Sequence, residues 1–525
     1  MHQHVLRQGG RLHHEHQALK GGAYSVPASV LRNLDADPDV AHVSLNRAVM
    51  TTASPKADKH QAIINLPANL TNLTGSGIGV AVIDSGIAPV ADISSNHVVY
   101  SEDFTASGSA ADQYGHGTHV AGIIAGNGAS STGSQYTYTF KGLATGVNLI
   151  NLRVLDQNGL GTDSETIAAI ETAISLKSKY NIRVINLSLG RGVYESYTLD
   201  PLCQAVEQAW KAGIVVVAAG GNFGRSNAAG TYGYASITAP GNDPYVITVG
   251  AVNNQDQSTR AAVVPTTYSS KGPSLGDWTV KPDLVAPGNM IVSLYKPGET
   301  LAGLEAANIL PTSAYQVNGT SASSGSYISL SGTSMATPMV SATAALMLQQ
   351  NPSLTPDQVK LRLMASAFKT VAPESVASDA TTGQTFYEQA DLFTIGAGVL
   401  DIGAALSSTV RAPATVGSAM SPMVAETNSG NLVMVGGNPA TYGSTVFSGK
   451  DATGLPIVWG IQIPASINVL PIVTGVQGSS VMWGSSVMWG SSVMWGSSVM
   501  WGSSVMWGSS VMWGSGASVD DAVAP

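Results

Sequence analysis

Three stretches of the 525-residue chain carry side chains suited to nucleophilic catalysis. Gly332-Thr333-Ser334-Met335-Ala336-Thr337-Pro338 sets a serine just ahead of a small and apolar run, Met339 to Leu346, that reads as a buried helix. A helix start offers unpaired backbone N–H groups and a partial positive charge, so a hydroxyl there can attack a carbonyl and leave the oxyanion beside donors. Ser334 is therefore the candidate nucleophile. Gly332 lets a substrate backbone come close, and Pro338 is expected in the first turn, which tolerates a missing donor. Alone, the motif is better explained by a serine capping a helix. Val80-Ala81-Val82-Ile83-Asp84-Ser85-Gly86-Ile87 is an apolar run ending in a carboxylate, which makes Asp84 an acid at a strand end. Tyr114-Gly115-His116-Gly117-Thr118-His119 puts a histidine between glycines at the head of an apolar helix. An imidazole there serves as general base if an acid stands behind it and a hydroxyl in front.

Asp84, His116 and Ser334 occur in the chain order of the subtilisin triad, and the segments AVIDSGI, GHGTHVAGIIAG and GTSMATP all resemble the signatures of the subtilases, the subtilisin-like serine peptidases. The resemblance covers roughly residues 60 to 406. It implies an endopeptidase working by acyl transfer, with His116 taking the Ser334 proton and Asp84 holding the imidazole. Gly220-Gly221-Asn222-Phe223-Gly224 resembles the family segment whose asparagine donates to the oxyanion, so Asn222 takes that part; a turn asparagine is the plainer alternative. Ser188-Leu189-Gly190 resembles the edge that pairs with an extended peptide substrate and walls the primary specificity pocket. An α/β-hydrolase esterase is excluded, because Ser334 lies in Gly-Thr-Ser-Met-Ala rather than Gly-x-Ser-x-Gly.

The elements that must position these groups alternate. Strands are expected over Ile78 to Asp84, Val147 to Leu155, Val184 to Gly190 and Ile214 to Ala219. Between them, Thr162 to Glu165 forms a capping box ahead of Ile167, Ile170 and Ile174, and a helix from Leu202 to Ala212 ends at Gly213. Such alternation implies an α/β fold: a subtilisin-like parallel sheet with helices on both faces. Asn186, inside a strand, reads as a structural hydrogen-bond hub, and His119 as a packed helix histidine. The polar stretch from Leu301 to Ser326 reads as a surface loop near the site. Thr355-Pro356-Asp357-Gln358 is a second capping box, and Gly396 to Asp401 resembles the family's closing segment.

Five segments follow: 1–50, a partial inhibitory pro-region; 51–59, a processing linker; 60–406, the peptidase domain; 407–477, an extension with short strands; and 478–525, a repeat tail. In the first, Val30, Leu31 and Leu34 mark a short helix and Val40 to Leu45 a strand; the resemblance makes this segment the enzyme's own inhibitor, with maturation cleavage between about Ala48 and His60. In the tail, Gly-Ser-Ser-Val-Met-Trp repeats six times from Gly478 to Trp513 without a charge. An even period puts every Trp of an extended strand on the face of every Val, yet glycine and paired serines weaken such strands; a β-prone or disordered tail fits both facts.

Hydrophobic residues make up 44% of the chain and charged ones 11%, enough for a large core, and the net charge of -9 argues against a nucleic-acid partner. One cysteine, Cys203, excludes an internal disulfide. No run of eighteen apolar residues exists, so no integral membrane segment is expected. Residues 1–7 lack the apolar core of a signal peptide, whereas subtilases with pro-regions are usually exported; a secreted or cell-surface protein with a truncated start is the expectation. Partners are then protein or peptide substrates. No cofactor is required, and no metal ligand is nominated among His2, His4, His13, His14 and His16 or elsewhere. The resemblance admits calcium, though no stretch, including that after Asn127, spaces ligands well enough to name a site. The alternative function is a surface-binding or structural protein that keeps an inactive subtilase scaffold while its repetitive tail does the work.

Overall fold

The computed structural model describes residues 2–7, 9–16, 21–27, 34, 40, 42–43, 48–50, 63–67, 72–225, 233–255, 259–378, 385–427, 431–438, 441–442, 447–450, 454 and 456–458. The chain divides into two units, residues 1–464 and 465–525, and all that follows concerns the first. Most of the helix expected at 26–34, half of the strand at 40–45, the linker at 51–59 and the hexapeptide repeats lie outside the described residues.

The centre is an eight-stranded sheet built from β1 (Gly79–Asp84), β2 (Val98–Asp103), β3 (Asn148–Arg153), β4 (Ile182–Leu187), β5 (Val215–Ala219), β6 (Ile247–Asn253), β7 (Val264–Pro265) and β8 (Leu284–Pro287). Its order is β7-β6-β5-β4-β1-β3-β2, with β8 also pairing β6. All pairings are parallel except β6 with β7. Parallel strands need crossovers, and these supply helices α1 (His116–Ala125), α2 (Asp163–Ser175) and α3 (Pro201–Lys211). Every residue of β1 and β5 is buried, as it must be where helices cover both faces.

Helix α4 (Thr333–Gln350) has no polar face: Thr333 through Leu348 are buried, and it packs on β4, β5, β6 and α1. A helix apolar all round can only run through a core, and its small residues let the strands approach closely. Helix α5 (Pro356–Ser366) follows. Pro338 does not fall in the first turn of α4 as expected but lies one turn further in, because the helix starts at Thr333. Its missing N–H therefore leaves the Ser334 carbonyl without a helical partner.

Three further expectations are corrected. The stretch from Leu301 to Ser326 is not a plain loop: strand Ser323–Leu330 pairs with Ile291–Leu294 on one side and Ile309–Pro311 on the other. Buried Leu301, Leu310 and Tyr315 anchor it, the Tyr315 ring standing edge-on to Tyr327 at 5.3 Å. The apolar residues of that hairpin are interleaved with Ser and Gly, which hides the strand pattern. At Thr162 the cap is one-sided: its hydroxyl accepts from Glu165 N at 3.4 Å but donates to the Glu165 carboxylate at 2.6 Å. Thr355 likewise caps Gln358 N, while the Gln358 side chain turns to Ala412 N.

The segment after the peptidase region packs back onto it. Ser421 joins a buried cluster in which Lys360 Nζ meets the carbonyls of Pro244, Tyr245 and Val246 at 2.9, 3.3 and 2.9 Å, Ser421 Oγ at 2.8 Å and Asp283 at 3.1 Å. Burial opposes ionisation of Asp283, but Lys281 and Lys360 beside it hold its carboxyl below the usual range.

Candidate active site

Because β1, β4 and β5 run parallel, their carboxyl ends share one rim of the sheet, and the candidate residues gather there. Asp84 is the last residue of β1 and is fully buried. His116 is the first residue of α1. Two glycines set their approach. Gly115 turns the chain at a φ of 111°, and a Cβ on Gly117 would lie 2.2 Å from the Gly86 carbonyl, so only glycine lets the helix start sit against the β1 turn. The result is a contact from His116 Nδ1 to both Asp84 oxygens, at 2.8 and 3.1 Å. A carboxylate partner makes Nδ1 the donor, so Nε2 carries the lone pair. That Nε2 is buried and has no hydrogen-bond partner.

Ser334 is the second residue of α4, within the turn whose N–H groups a helix cannot pair internally. Its hydroxyl donates to the Ser188 carbonyl at 3.0 Å rather than to His116, and the Ser188 hydroxyl donates to the Ser334 carbonyl at 2.9 Å. This second bond fills the gap left by Pro338. Catalytic hydrogen bonds commonly tighten only when substrate arrives. Ser188, Leu189 and Gly190 follow directly on β4, and Ser188 lies beside α4. Asn186 supports them, donating to Ser188 Oγ at 3.0 Å and accepting from Ser341 Oγ at 2.7 Å.

Asn222 follows β5. Its Oδ1 accepts from Thr333 N and Thr333 Oγ1, both at 2.9 Å. A backbone N–H must face an oxygen, so this contact fixes the amide's orientation and turns Nδ2 away from Thr333. Thr333 Oγ1 also accepts from Gly221 N at 3.2 Å, which locks the β5 turn to the start of α4. His119 is buried in α1 and contacts the Ile291 carbonyl at 3.1 Å.

Three contributors were missed in the sequence. Asp112 accepts from Tyr114 N, Gly115 N, Thr118 N and Thr118 Oγ1 at 2.7 to 3.0 Å, and from Ser85 Oγ at 2.9 Å. Ser85 in turn accepts from Gly117 N at 2.9 Å and donates its own N–H to Asp84 at 2.7 Å. Asp112 and Ser85 thus frame both members of the Asp84 and His116 pair, and an acid four residues ahead of a helix-start histidine was the available signal. Glu299 packs against Gly115, accepts from Lys296 N at 2.7 Å and lies 3.4 Å from Thr118 Oγ1. Burial first, then the neighbouring Asp112 carboxylate, push Glu299 up to about 8. Burial likewise raises Asp112 despite its donors, with Asp84 adding to the effect. Also absent from the sequence reading is the strand Leu160–Thr162, which pairs antiparallel with Ala48–Met50 in the register Ala48 with Thr162 and Met50 with Leu160.

The chain also matches known proteins. A family model described as the subtilase family matches residues 75–398. The chain belongs to the subtilase family. It is 35% identical over 346 residues to the serine protease AprX of Bacillus subtilis (strain 168), covering 64% of this chain and 71% of that one. It is 35% identical over 355 residues to an extracellular serine proteinase of Thermus sp. (strain Rt41A), covering 66% and 70%. To subtilisin E of Bacillus subtilis it is 33% identical over 373 residues, covering 69% and 79%. As a subtilase it is a serine endopeptidase, a hydrolase.

Among the described residues no helix is long and apolar enough to cross a membrane, and no cluster of three or more His, Cys, Asp or Glu side chains could hold a metal. For calcium, the segment after Asn127 offers Asp92, which accepts from Ser130 N at 2.8 Å and from Tyr327 Oη at 2.7 Å, so each carboxylate oxygen already faces a hydrogen donor. These residues do not fit a calcium ion.

Proposed function

We propose that the protein cleaves peptide bonds in proteins through an acyl-enzyme on Ser334. The observation that carries this reading is the buried His116 ring, tied to Asp84 at 2.8 Å on one nitrogen while the other has no partner. In the proposed cycle Ser334 turns about its Cα–Cβ bond and gives its proton to His116 Nε2 as its oxygen attacks the substrate carbonyl. Asp84 holds the tautomer and stabilises the imidazolium. Asn222 Nδ2 and the Ser334 N–H stabilise the tetrahedral oxyanion. His116 then protonates the leaving amine, and a water that it deprotonates releases the acyl group. Rotation of Ser334 also frees the Ser188 carbonyl for a substrate N–H along the edge of Ser188, Leu189 and Gly190.

Ser334→Ala should abolish both peptide cleavage and labelling by a serine-directed fluorophosphonate. Labelling that persists in the variant would move the nucleophile elsewhere.

The same reading makes residues 1–50 a pro-region that inhibits its own enzyme. Support comes from the pairing of Ala48–Met50 with Leu160–Thr162 and from contacts of His16 with Glu171 at 3.1 Å and His42 with Glu195 at 2.7 Å. Cleavage would fall in residues 51–59, and the mature enzyme would be secreted or held at the cell surface; the Thermus relative is named an extracellular proteinase. N-terminal sequencing of the active form tests this, with Ser334→Ala expected to stay uncut. No observation favours the alternative of an inactive scaffold whose tail binds a surface.

A further inference from the structure

The turn that carries Asn222 rests on one short segment, Tyr268 to Lys271. Gly221 offers its carbonyl to Ser270 N at 2.9 Å, and Phe223 N donates to Ser270 Oγ at 3.0 Å. Gly224 N donates to the Tyr268 carbonyl at 2.8 Å, and a Cβ on Gly224 would lie 2.0 Å from the Ser269 carbonyl, so the turn lies flat against the segment. The same segment reaches the entry to α4: Tyr268 Oη and Gly332 N both donate to the Gly288 carbonyl, at 2.9 and 2.8 Å. Thr333 sets the rotation of the Asn222 amide, but where its Cα stands is decided by these bonds on either side.

The last tie is charged. Lys271 Nζ donates to the Gly224 carbonyl at 2.6 Å and to both oxygens of Glu388, at 2.9 and 2.8 Å. Both side chains are buried. Glu388 arrives from the second strand of a hairpin, Glu374–Ser378 paired with Thr385–Gln389, which Ser375 Oγ fastens to the Pro265 carbonyl at 2.7 Å. The backbone of Lys271 is fixed as well, since its N–H meets Ser236 Oγ at 3.1 Å and its carbonyl accepts from Ser236 N at 3.0 Å. An ion pair taken out of water does not by itself stabilise a fold more than apolar residues of the same size would. What an ammonium does here that no apolar side chain could is grip a carbonyl two residues beyond Asn222 with a charge-assisted hydrogen bond.

We propose that Lys271 is a positioning residue for peptide cleavage: its ammonium, steadied by Glu388, clamps the Gly224 carbonyl and so holds the Asn222 amide where the oxyanion forms. The inference rests on the reading of Ser334 as nucleophile and Asn222 as oxyanion donor. Lys271 acts through the turn and not on the substrate, so its loss falls on the transition state. A displacement of about 1 Å at such a donor costs up to about 100-fold in rate, while the edge from Ser188 to Gly190 is left as it was.

The test is a kinetic cycle on the full chain with one peptide substrate. Lys271→Met should lower kcat by about 10- to 100-fold with KM changed by only a few-fold. That variant leaves the Glu388 carboxyl buried without its cation, so it is paired with a double variant, Lys271→Met with Glu388→Met, which removes both charges, keeps the fold and should show the same fall in kcat. In an Asn222→Ala background the double change should lower kcat by no more than about twofold, because the amide that the clamp positions is gone. Glu388→Gln keeps the shape of the pair and should show a smaller fall in kcat with the same split from KM. Full kcat in the double variant or in Glu388→Gln, a rise in KM at constant kcat, or a loss that multiplies with that of Asn222→Ala overturns the clamp and leaves the peptidase reading standing. Asn222→Ala that itself leaves kcat unchanged, or a wild type that neither cleaves nor takes a fluorophosphonate label, overturns the underlying reading and the clamp with it.

Discussion

Ser188 and Ser334 exchange hydroxyl-to-carbonyl hydrogen bonds, at 2.9 Å from Ser188 Oγ to the Ser334 carbonyl and 3.0 Å from Ser334 Oγ to the Ser188 carbonyl. The first bond exists because Pro338, four residues beyond Ser334 in the same helix, has no N–H to offer. The pairing therefore joins the edge after β4 to the start of α4 through a vacancy that a proline creates.

That dependence can be measured by a cycle. Ser188→Ala leaves a buried carbonyl without a donor and should lower the unfolding free energy in urea by about 1 to 3 kcal/mol. Pro338→Ala restores the helical N–H, so the double variant should recover most of the loss. Additive losses would show that Ser188 acts elsewhere.

Removing the Asn222 amide should act on the transition state rather than on binding. Asn222→Ala should lower kcat by roughly 100- to 1000-fold with KM changed by only a few-fold. A rise in KM at constant kcat would assign the residue to substrate binding. The orientation of this amide depends on Thr333, so Thr333→Val should show a smaller loss of the same kind.

Gly117 admits no side chain. A Cβ there would meet the Gly86 carbonyl at 2.2 Å and the Asp84 Cβ at 3.2 Å. Gly117→Ala should push α1 from the β1 turn and break the contact between His116 and Asp84. Activity loss of about 1000-fold or more, with far-ultraviolet circular dichroism retained, is the expected result.

Glu299 gives the molecule a titration of its own. Its carboxyl is raised from 4.5 to about 8 by burial and by Asp112. Folding thus favours the protonated form, so the stability it contributes is fully present below about pH 4.5 and is lost as pH rises towards 8. At about one unit per 1.4 kcal/mol the full loss is at most roughly 5 kcal/mol. Glu299→Gln mimics the protonated group and should raise the melting temperature at about pH 9 while leaving it unchanged at about pH 4. Equal effects at both pH values would mean that Glu299 does not titrate in this range.

The positions of Asp84, His116 and Ser334 were legible because each stands at the end of an apolar run long enough to betray its element. Asn222 and Ser188 were legible by resemblance, since glycine-rich turns after strands carry little signal of their own. Asp112 and Glu299 were not, because their importance lies in proximity between distant segments. The hairpin ending in Ser323–Leu330 stayed hidden for a different reason: serine and glycine occupy its outward positions, and the composition reads as loop. Pro338 was misplaced by one turn, and with it the reason for the Ser188 bond.

Ser421 donates one of the five oxygens around Lys360 Nζ, and it comes from beyond the stretch matched by the family model, which ends at residue 398. A shortened version of the enzyme cut at that limit would strip an amine in α5 of a ligand and open its chamber to solvent. Any trimming for crystallisation or industrial use should therefore begin after residue 421, not at the edge of sequence similarity.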